Sequence, residues 1–378
     1  MRISISDMRA TRLIIDLDKI YRNIRYFKNI SGKGTGMMAV VKADAYGHGS
    51  LEVSRIAVKA GVDMLGVATL DEAVYIRNHI KKIPIMLLCP LEKSQIYTAL
   101  RKRFILTIND PPHAEWLIDI LDKNSKLSAN IHIKINTGMN RLGISDNKDI
   151  ERLLDIFMKH PQVRVKGAYS HFFAADNNAA KKTTRAQLTK FLECSKIIRK
   201  YYPSIILHMA NTAGILSIKE SALDMIRIGI GIYGYPPNLS RYPEIQPALG
   251  LKTRIIAIQS LKKGEQVSYG FNTRVKKKTR IAVLPIGYAD GWKRVLSNKF
   301  RAILRGRVCK GIGNICMDMS MIDIKGIDGV RVGDEVVLIG RKDGKEIRVE
   351  DIAKKAGTIV YEVVSSFRDR MPRYYING

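Results

Sequence analysis

The chain has 378 residues, 46% of them apolar, which is too long for one small domain and apolar enough for two cores. Its formal net charge is +29, yet the basic residues are spread out. The densest cluster, Lys276, Lys277 and Lys278, has no interleaved aromatics, so the charge points to a solvated surface rather than a nucleic-acid interface.

The composition has no long Pro, Ser or Gln tracts, which excludes a disordered chain. No run reaches the roughly 18 apolar residues of a membrane span, and the N-terminal residues carry no apolar run of signal-peptide length, so a cytoplasmic protein is expected. From about residue 38 to 233, short runs rich in β-branched residues alternate with amphipathic or charged stretches. Eight strands are expected, at 38–41, 64–68, 85–89, 105–108, 131–135, 165–170, 205–209 and 225–230. Helix signals lie between them: Asp71 and Glu72 open a turn before residues 73–76, and residues 182–201 carry apolar positions at helical spacing. Such a series fits a parallel β/α barrel or a doubly wound open sheet. Lys42, Asn136, His171, Asn211 and Arg227 decide for the barrel. Each stands at or just after a strand end, and a barrel converges those ends on one face.

After about residue 245 the texture changes to alternating β-type runs at 252–260, 280–285, 301–304 and 335–339. Turns at Lys263-Gly264-Glu265 and Asp343-Gly344 separate runs, and a short helix is expected at 349–356. The expected organisation is an α/β chain: an N-terminal (β/α)8 barrel over 1–245 and a mostly antiparallel β domain over 246–378. Cys89, Cys194, Cys309 and Cys316 form no CxxC pair and match no zinc spacing, so reduced thiols and no metal are expected.

The strongest local signal is the run from Val40 to Gly49, VVKADAYGHG. Lys42 closes a strand among apolar neighbours, where burial favours a neutral amine able to form a Schiff base. Gly47 and Gly49 permit close backbone approach. The second signal is the run from Met225 to Gly234, MIRIGIGIYG. Arg227 in the last barrel strand needs internal acceptors, because a buried unpaired guanidinium is very costly. The loops after strands seven and eight form the common phosphate site of barrel enzymes, and Asn211-Thr212 adds side-chain donors there. An amine for an aldehyde, a phosphate cradle and an acceptor-seeking arginine together suggest pyridoxal 5′-phosphate.

Motifs across both halves resemble the alanine racemase family: KADAYGHG at 42–49, KINTGMNRLG at 134–143, YSHF at 169–172, HMAN at 208–211, RIGIGIYG at 227–234, VSYG at 267–270, GYADG at 287–291, Cys316-Met317-Asp318 and Pro372-Arg373. The resemblance implies a two-base racemisation of L- and D-alanine through an external aldimine of pyridoxal 5′-phosphate, supplying D-alanine for peptidoglycan. By the same resemblance Lys42 carries the cofactor as a Schiff base and moves the α-proton on the D-face, while Tyr269 serves the L-face. Tyr46, Thr212, Gly229 and Ile230 contact the phosphate with Asn211 beside them, Arg227 meets the pyridine nitrogen, and His171 links Arg227 to Tyr269. Arg141 reaches the phenolic oxygen and the substrate carboxylate, and the Met317 N–H and Tyr288 complete the substrate site. Lys134 is a candidate carbamate that positions Arg141. Tyr269 and Met317 reach the site of the other subunit, so a head-to-tail homodimer is implied, with an amino acid as the only other partner and neither nucleic acid nor membrane.

Two bases answer the need to remove a proton on one face and return it on the other. An arginine at the ring nitrogen only donates, so the nitrogen stays largely unprotonated and the ring draws electrons weakly. A decarboxylase of the same architecture would put an acidic partner there, and a cofactor carrier would need only the barrel. His79, His113, His132 and His160 have no motif context and are expected to be ordinary histidines. Cys316 is expected to be a packed thiol. Two departures stand out: Asn136 occupies a position where relatives have Asp, and the segment Phe367-Arg368-Asp369-Arg370 replaces one that carries a Tyr. Asp369 is expected at the mouth of the pocket, admitting serine, lysine or ornithine, which steady-state rates on L-alanine, L-serine and L-lysine would test.

Overall fold

The structure is a computed structural model that describes residues 9–271, 273–367 and 369–378. Its chain divides into two compact units: Lys19–Ala45 with Ser50–Gln246, and residues 9–18 with 46–49 and 247–378. The first strand, β1 (Arg12–Asp16), belongs to the second unit.

The next eight strands build the first unit. They are β2 (Gly36–Val40), β3 (Met64–Val67), β4 (Ile85–Leu87), β5 (Ile105–Ile108), β6 (Ala129–Lys134), β7 (Val163–Tyr169), β8 (Ile206–His208) and β9 (Met225–Ile228). All pair in parallel in chain order, and β2 also pairs with β9, which closes the barrel. Each of the eight expected runs forms its strand, with ends shifted by at most two residues. Runs such as MLGV and ILTI are buried at every position, the mark of strands covered on both faces. Met38, Met64, Met86, Ile105, Tyr169 and Met225 pack as one cluster.

The expected helices are present as Leu70–His79 and Lys181–Tyr201. Glu72 starts the first: its carboxylate accepts from the Ala68 N–H at 2.8 Å and the Thr69 N–H at 3.3 Å. Those N–H groups at a helix start have no intrahelical acceptor, so an acidic residue in the first turn stabilises it. The second helix buries Leu188, Phe191, Cys194 and Ile198, a stripe at helical spacing.

In the second unit the strands are β10 (Leu249–Arg254), β11 (Ala257–Leu261), β12 (Thr279–Leu284), β13 (Arg301–Leu304), β14 (Arg307–Lys310), β15 (Ser320–Asp323), β16 (Glu335–Lys342), β17 (Lys345–Ile347) and β18 (Arg373–Ile376). One sheet runs β14-β13-β16-β10-β1-β18 with β17 on β16, and a second runs β11-β12-β15. Only the β1–β18 pair is parallel. The run expected as one strand at 252–260 is two strands, because the chain leaves one sheet after Arg254 and enters the other at Ala257. The Asp343-Gly344 hairpin forms as expected, both residues having positive φ (50° and 73°) as a tight two-residue turn requires. The helix Val349–Ala356 also forms. The alternating segment RLIID of β1 has no place in the barrel; it lies between β10 and β18.

Candidate active site

The parallel barrel brings the carboxyl ends of β2, β6, β7, β8 and β9 to one face, and Lys42, Lys134, His171, Asn211 and Arg227 come with them. Arg227 is the hub. It is 3% exposed, and its fork is committed to five acceptors. Nη1 donates to His208 Nδ1 and to the His208 carbonyl, both at 2.9 Å. Nη2 donates to the carbonyls of Ser170 at 2.6 Å and Met209 at 3.1 Å, and to His171 Nδ1 at 3.2 Å. Its Nε donates to no other described atom, so one N–H of this buried group stays available. Burial pushes the guanidinium down to about 10, so it remains charged at neutral pH. With no carboxylate in its shell, the charge rests on carbonyl and imidazole dipoles.

Those bonds fix tautomers, because a guanidinium only donates. His208 Nδ1 must accept, so the proton sits on His208 Nε2 and is donated to His132 Nδ1 at 2.7 Å. His132 therefore carries its proton on Nε2. His171 lies between two donors, Arg227 Nη2 at 3.2 Å from Nδ1 and Asn211 Nδ2 at 3.4 Å from Nε2, so a neutral ring accepts from one of them and turns its N–H on the other. Burial, then Arg227, holds all three imidazoles below their ordinary range, His132 at about 3. His132 is a core histidine, as expected, and it stands at the far end of a buried chain, His132–His208–Arg227. The signal was present in NIHIK of β6, where Asn130, His132 and Lys134 alternate with isoleucines, a period of two that turns every polar residue to one side. His208, Ser170 and Tyr169 also lay inside quoted motifs without an assigned role. Tyr169 stacks on His208, with centroids 5.0 Å apart.

Lys134 is buried, with Nζ 4.4 Å from the Tyr169 ring centroid. Burial, with Arg227 and Arg141 adding repulsion, holds its ammonium well below the ordinary lysine range. The loop that carries exposed Arg141 is folded around Asn136. The Asn136 Oδ1 accepts from the Gly138 and Asn140 N–H groups at 3.0 Å, and its Nδ2 donates to Asn140 Oδ1 at 3.1 Å and Ser145 Oγ at 2.9 Å. An Asp could make the first pair but not the second, which gives the departure at Asn136 a structural role.

Lys42 is half-buried rather than enclosed, and it opens an unusual turn. Ala43, Asp44 and Ala45 are all in the left-handed region with φ of 52°, 50° and 53°. For L-residues this costs roughly 1–2 kcal/mol each, so the surroundings must hold the turn. Glu72 accepts from the Ala43 N–H at 2.5 Å, and Asp44 accepts from the Ser50 N–H at 2.7 Å. Lys42 is among the cations whose charge bears on His171.

After β8, Asn211 caps the helix Thr212–Ser217 by accepting from the Gly214 N–H at 2.8 Å. After β9, Gly229 leads into a tight turn, Ile230–Tyr233. The Gly231 N–H donates to Thr212 Oγ1 at 3.2 Å. A Cβ on Gly231 would fall 2.6 Å from the Phe27 ring and 2.7 Å from Thr212 Cγ2, so this loop can lie against Thr212 only as glycine. Among the described residues, the N–H groups of Gly229 and Ile230 have no backbone acceptor. Free N–H groups and a hydroxyl form a donor set that suits a phosphate, and Arg227 Nε suits a ring nitrogen. The residues present therefore fit pyridoxal 5′-phosphate.

Tyr46, Tyr269, Tyr288 and Met317 are in the second unit. Tyr46 is buried with its ring 6.1 Å from Tyr361, and burial raises its hydroxyl above the ordinary range. The close approaches of Gly47 and Gly49 are to Val364 and Tyr375 of the same unit. Tyr269 is 74% exposed and Met317 53%. Asn314 Nδ2 donates to the Tyr269 carbonyl at 2.7 Å, and Ser268 Oγ to the Asn314 carbonyl at 2.6 Å. The Tyr288 N–H donates to the Cys316 carbonyl at 3.0 Å, which ties its loop to the Met317 loop. Cys316 packs with its Sγ 3.3 Å from Ser268 Oγ. Asp369 is exposed in this unit, and Arg368 lies outside the described residues. Among the described residues no three His, Cys, Asp or Glu side chains are grouped to hold a metal, and no helix is long and apolar enough to cross a membrane.

Comparison with known proteins adds an independent line. The family described as "Alanine racemase, N-terminal domain" matches residues 15–237, and "Alanine racemase, C-terminal domain" matches residues 248–375. Alanine racemase 2 of Caldanaerobacter subterraneus is 39% identical, covering 98% of this chain and 96% of its own. Alanine racemase of Clostridium tetani is 38% identical, covering 96% and 94%. Among solved structures, alanine racemase from Bacillus anthracis with bound L-Ala-P superposes with a TM-score of 0.92 at 32% identity, covering 98% of this chain and 95% of that one.

Proposed function

This chain belongs to the alanine racemase family, so it is an isomerase that interconverts the alanine enantiomers with pyridoxal 5′-phosphate as cofactor, and from that premise we propose how its residues divide the work. When bound, the cofactor supplies an aldehyde that condenses with amines and a ring that withdraws electrons from Cα. Lys42 Nζ holds the aldehyde and then moves the α-proton on the D-face. Tyr269 Oη of a second copy moves it on the L-face. Arg227 Nε donates to the ring nitrogen, and because it cannot give up its proton the ring remains a weak sink, which suits return of the proton rather than loss of another group. His171, neutral with its proton on Nε2, turns that N–H towards the Tyr269 oxygen. Tyr46, Thr212, Gly229 and Ile230 hold the phosphate, with Asn211 capping the helix that Thr212 opens. Arg141, the Met317 N–H of the second copy and Tyr288 take the substrate carboxylate and the phenolic oxygen.

The observation that carries the reading is Arg227, a buried cation satisfied by five neutral acceptors with Nε left over. The homodimer reading is supported by exposure. Tyr269, Phe271, Tyr288, Met317 and Met319 are all more than 40% exposed and belong to one unit, as an interaction face would be. Lys134 is proposed as a carbamate: its neutral Nζ bonds to the carbon of carbon dioxide and loses a proton to solvent, and the resulting anion pairs with Arg141.

Subunit mixing tests the division of labour. Lys42→Ala and Tyr269→Phe homodimers should each be inactive. Mixed dimers contain one intact site, so about a quarter of the wild-type activity should return at statistical pairing. No recovery, with hybrid dimers demonstrated, contradicts a shared site.

A further inference from the structure

At the amino ends of the barrel strands, opposite the face that carries Lys42, the first unit holds a cavity of about 650 Å³. The segment before β4 contributes Lys81 and Lys82, and the segment before β5 contributes Arg101, Lys102 and Arg103. Lys166 of β7 and Arg77 add two more cations, and among the described residues no acidic one lines the space. Among the described residues none of these seven groups is in an ion pair, whereas Arg55, Lys93, Lys123 and Arg152 of the same unit all are.

The inner wall includes His132. Its ring is fully buried, and Nε2 has no hydrogen-bond partner. The bonds from Arg227 through His208 put the proton on that nitrogen, so it is a donor without an acceptor. Arg77 donates to the carbonyls of Lys81 at 2.5 Å and Ile83 at 2.8 Å, which fixes the lysine loop, while its Nε is likewise buried and unpaired. Two unsatisfied buried donors beside seven unneutralised cations are relieved together by one kind of ligand, a compact multivalent anion.

We propose that this cavity binds an oligophosphate, either inorganic or as the tail of a nucleotide, with His132 Nε2–H donating to an inner oxygen. The apolar floor of Met64, Ile105 and Ile206 leaves the polar contacts to the phosphates. The site also reaches the catalytic face, because His132 Nδ1 accepts from His208, which accepts from Arg227. An anion on His132 draws the two imidazole N–H bonds towards itself and makes His208 Nδ1 a stronger acceptor for Arg227. Racemisation then responds to the anion; this regulatory half rests on the role proposed for Arg227, whereas binding does not.

Calorimetric titration of the cofactor-loaded enzyme with phosphate, pyrophosphate, tripolyphosphate and ATP tests it. One site per chain is expected, with affinity rising with phosphate number and falling with salt. ATP binding no tighter than tripolyphosphate identifies the inorganic chain as sufficient; tighter binding identifies a nucleotide. The Lys81→Gln/Lys82→Gln/Lys102→Gln/Arg103→Gln variant should bind at least about tenfold more weakly, and Lys276→Gln/Lys277→Gln/Lys278→Gln should bind as wild type. The ¹⁵N resonances of the His132 ring should shift at saturation, a readout that needs no variant. Equal losses in the two variants, several weak sites, unmoved His132 resonances, or an oligonucleotide that displaces tripolyphosphate and binds more tightly would each overturn the proposal. Binding without any change in racemisation leaves the site standing and refutes only the coupling.

Discussion

His208 Nε2 stands 2.7 Å from His132 Nδ1, and the far nitrogen of His208 accepts from Arg227, so two buried imidazoles are held neutral in series behind a guanidinium. Both rings, and His171, have folded pKa values below the unfolded value of about 6.5. At a pH under 6.5 the unfolded chain takes up protons on these groups while the folded chain does not. Stability is therefore full above about 6.5 and falls as pH drops, for His132 until about 3. Each histidine adds a slope of up to about 1.4 kcal/mol per pH unit. Urea unfolding followed from pH 7 to pH 4.5 should show this fall, and a His132→Gln variant should show a shallower one. A flat profile in that window contradicts the neutral chain.

Arg227→Lys separates charge from geometry. An ammonium has three donors for five acceptors, so at least two buried acceptors lose their partner, at about 1–3 kcal/mol each. Equilibrium unfolding should show a loss of about 2–4 kcal/mol, and kcat/KM should fall about a hundredfold or more. Stability within 0.5 kcal/mol of wild type means the fork is not needed.

The left-handed turn after Lys42 gives a prediction of opposite sign. Ala43 is exposed with φ of 52°, so Ala43→Gly removes a steric penalty and loses no packing. Glycine's extra freedom in the unfolded chain offsets part of the gain, leaving about 0.5–1 kcal/mol of stabilisation in thermal or urea unfolding. Destabilisation by a similar amount would show that this turn is not left-handed in solution.

Much of the barrel and of the candidate site was legible in the sequence. Strand runs such as MLGV and ILTI were legible because full burial demands continuous apolar residues, and Lys42, His171, Asn211 and Arg227 were legible as polar residues at strand ends. His132 was not, because a histidine inside a strand looks like core until its alternation with Asn130 and Lys134 is combined with barrel closure. The turn at 43–45 was hidden because alanines carry no signal for positive φ; Glu72 and Asp44 impose it. The place of β1 was hidden too, since RLIID reads as a strand but says nothing about which sheet takes it. Tyr269, Tyr288 and Met317 enter the proposal through their motifs alone, since one exposed tyrosine or methionine resembles another.

Burial and the charges of Arg227 and Arg141 disfavour the Lys134 ammonium, so on the carbamate proposal carbon dioxide should bear on the reaction. Activity should fall when dissolved carbon dioxide is stripped and return with bicarbonate, while Lys134→Met should be weakly active and indifferent to both. A ¹³C carbamate resonance should appear with labelled bicarbonate in wild type only. Absence of that resonance with unchanged activity removes the carbamate.

The most direct test of the two-base reading is α-hydrogen exchange in deuterium oxide, one enantiomer at a time. With Tyr269→Phe, D-alanine should still exchange its α-hydrogen through Lys42 while exchange into L-alanine and net racemisation fall by about 10²–10⁴-fold. If Tyr269→Phe exchanges both enantiomers at equal rates, one group serves both faces, and the opposed arrangement of Lys42 and Tyr269 is wrong.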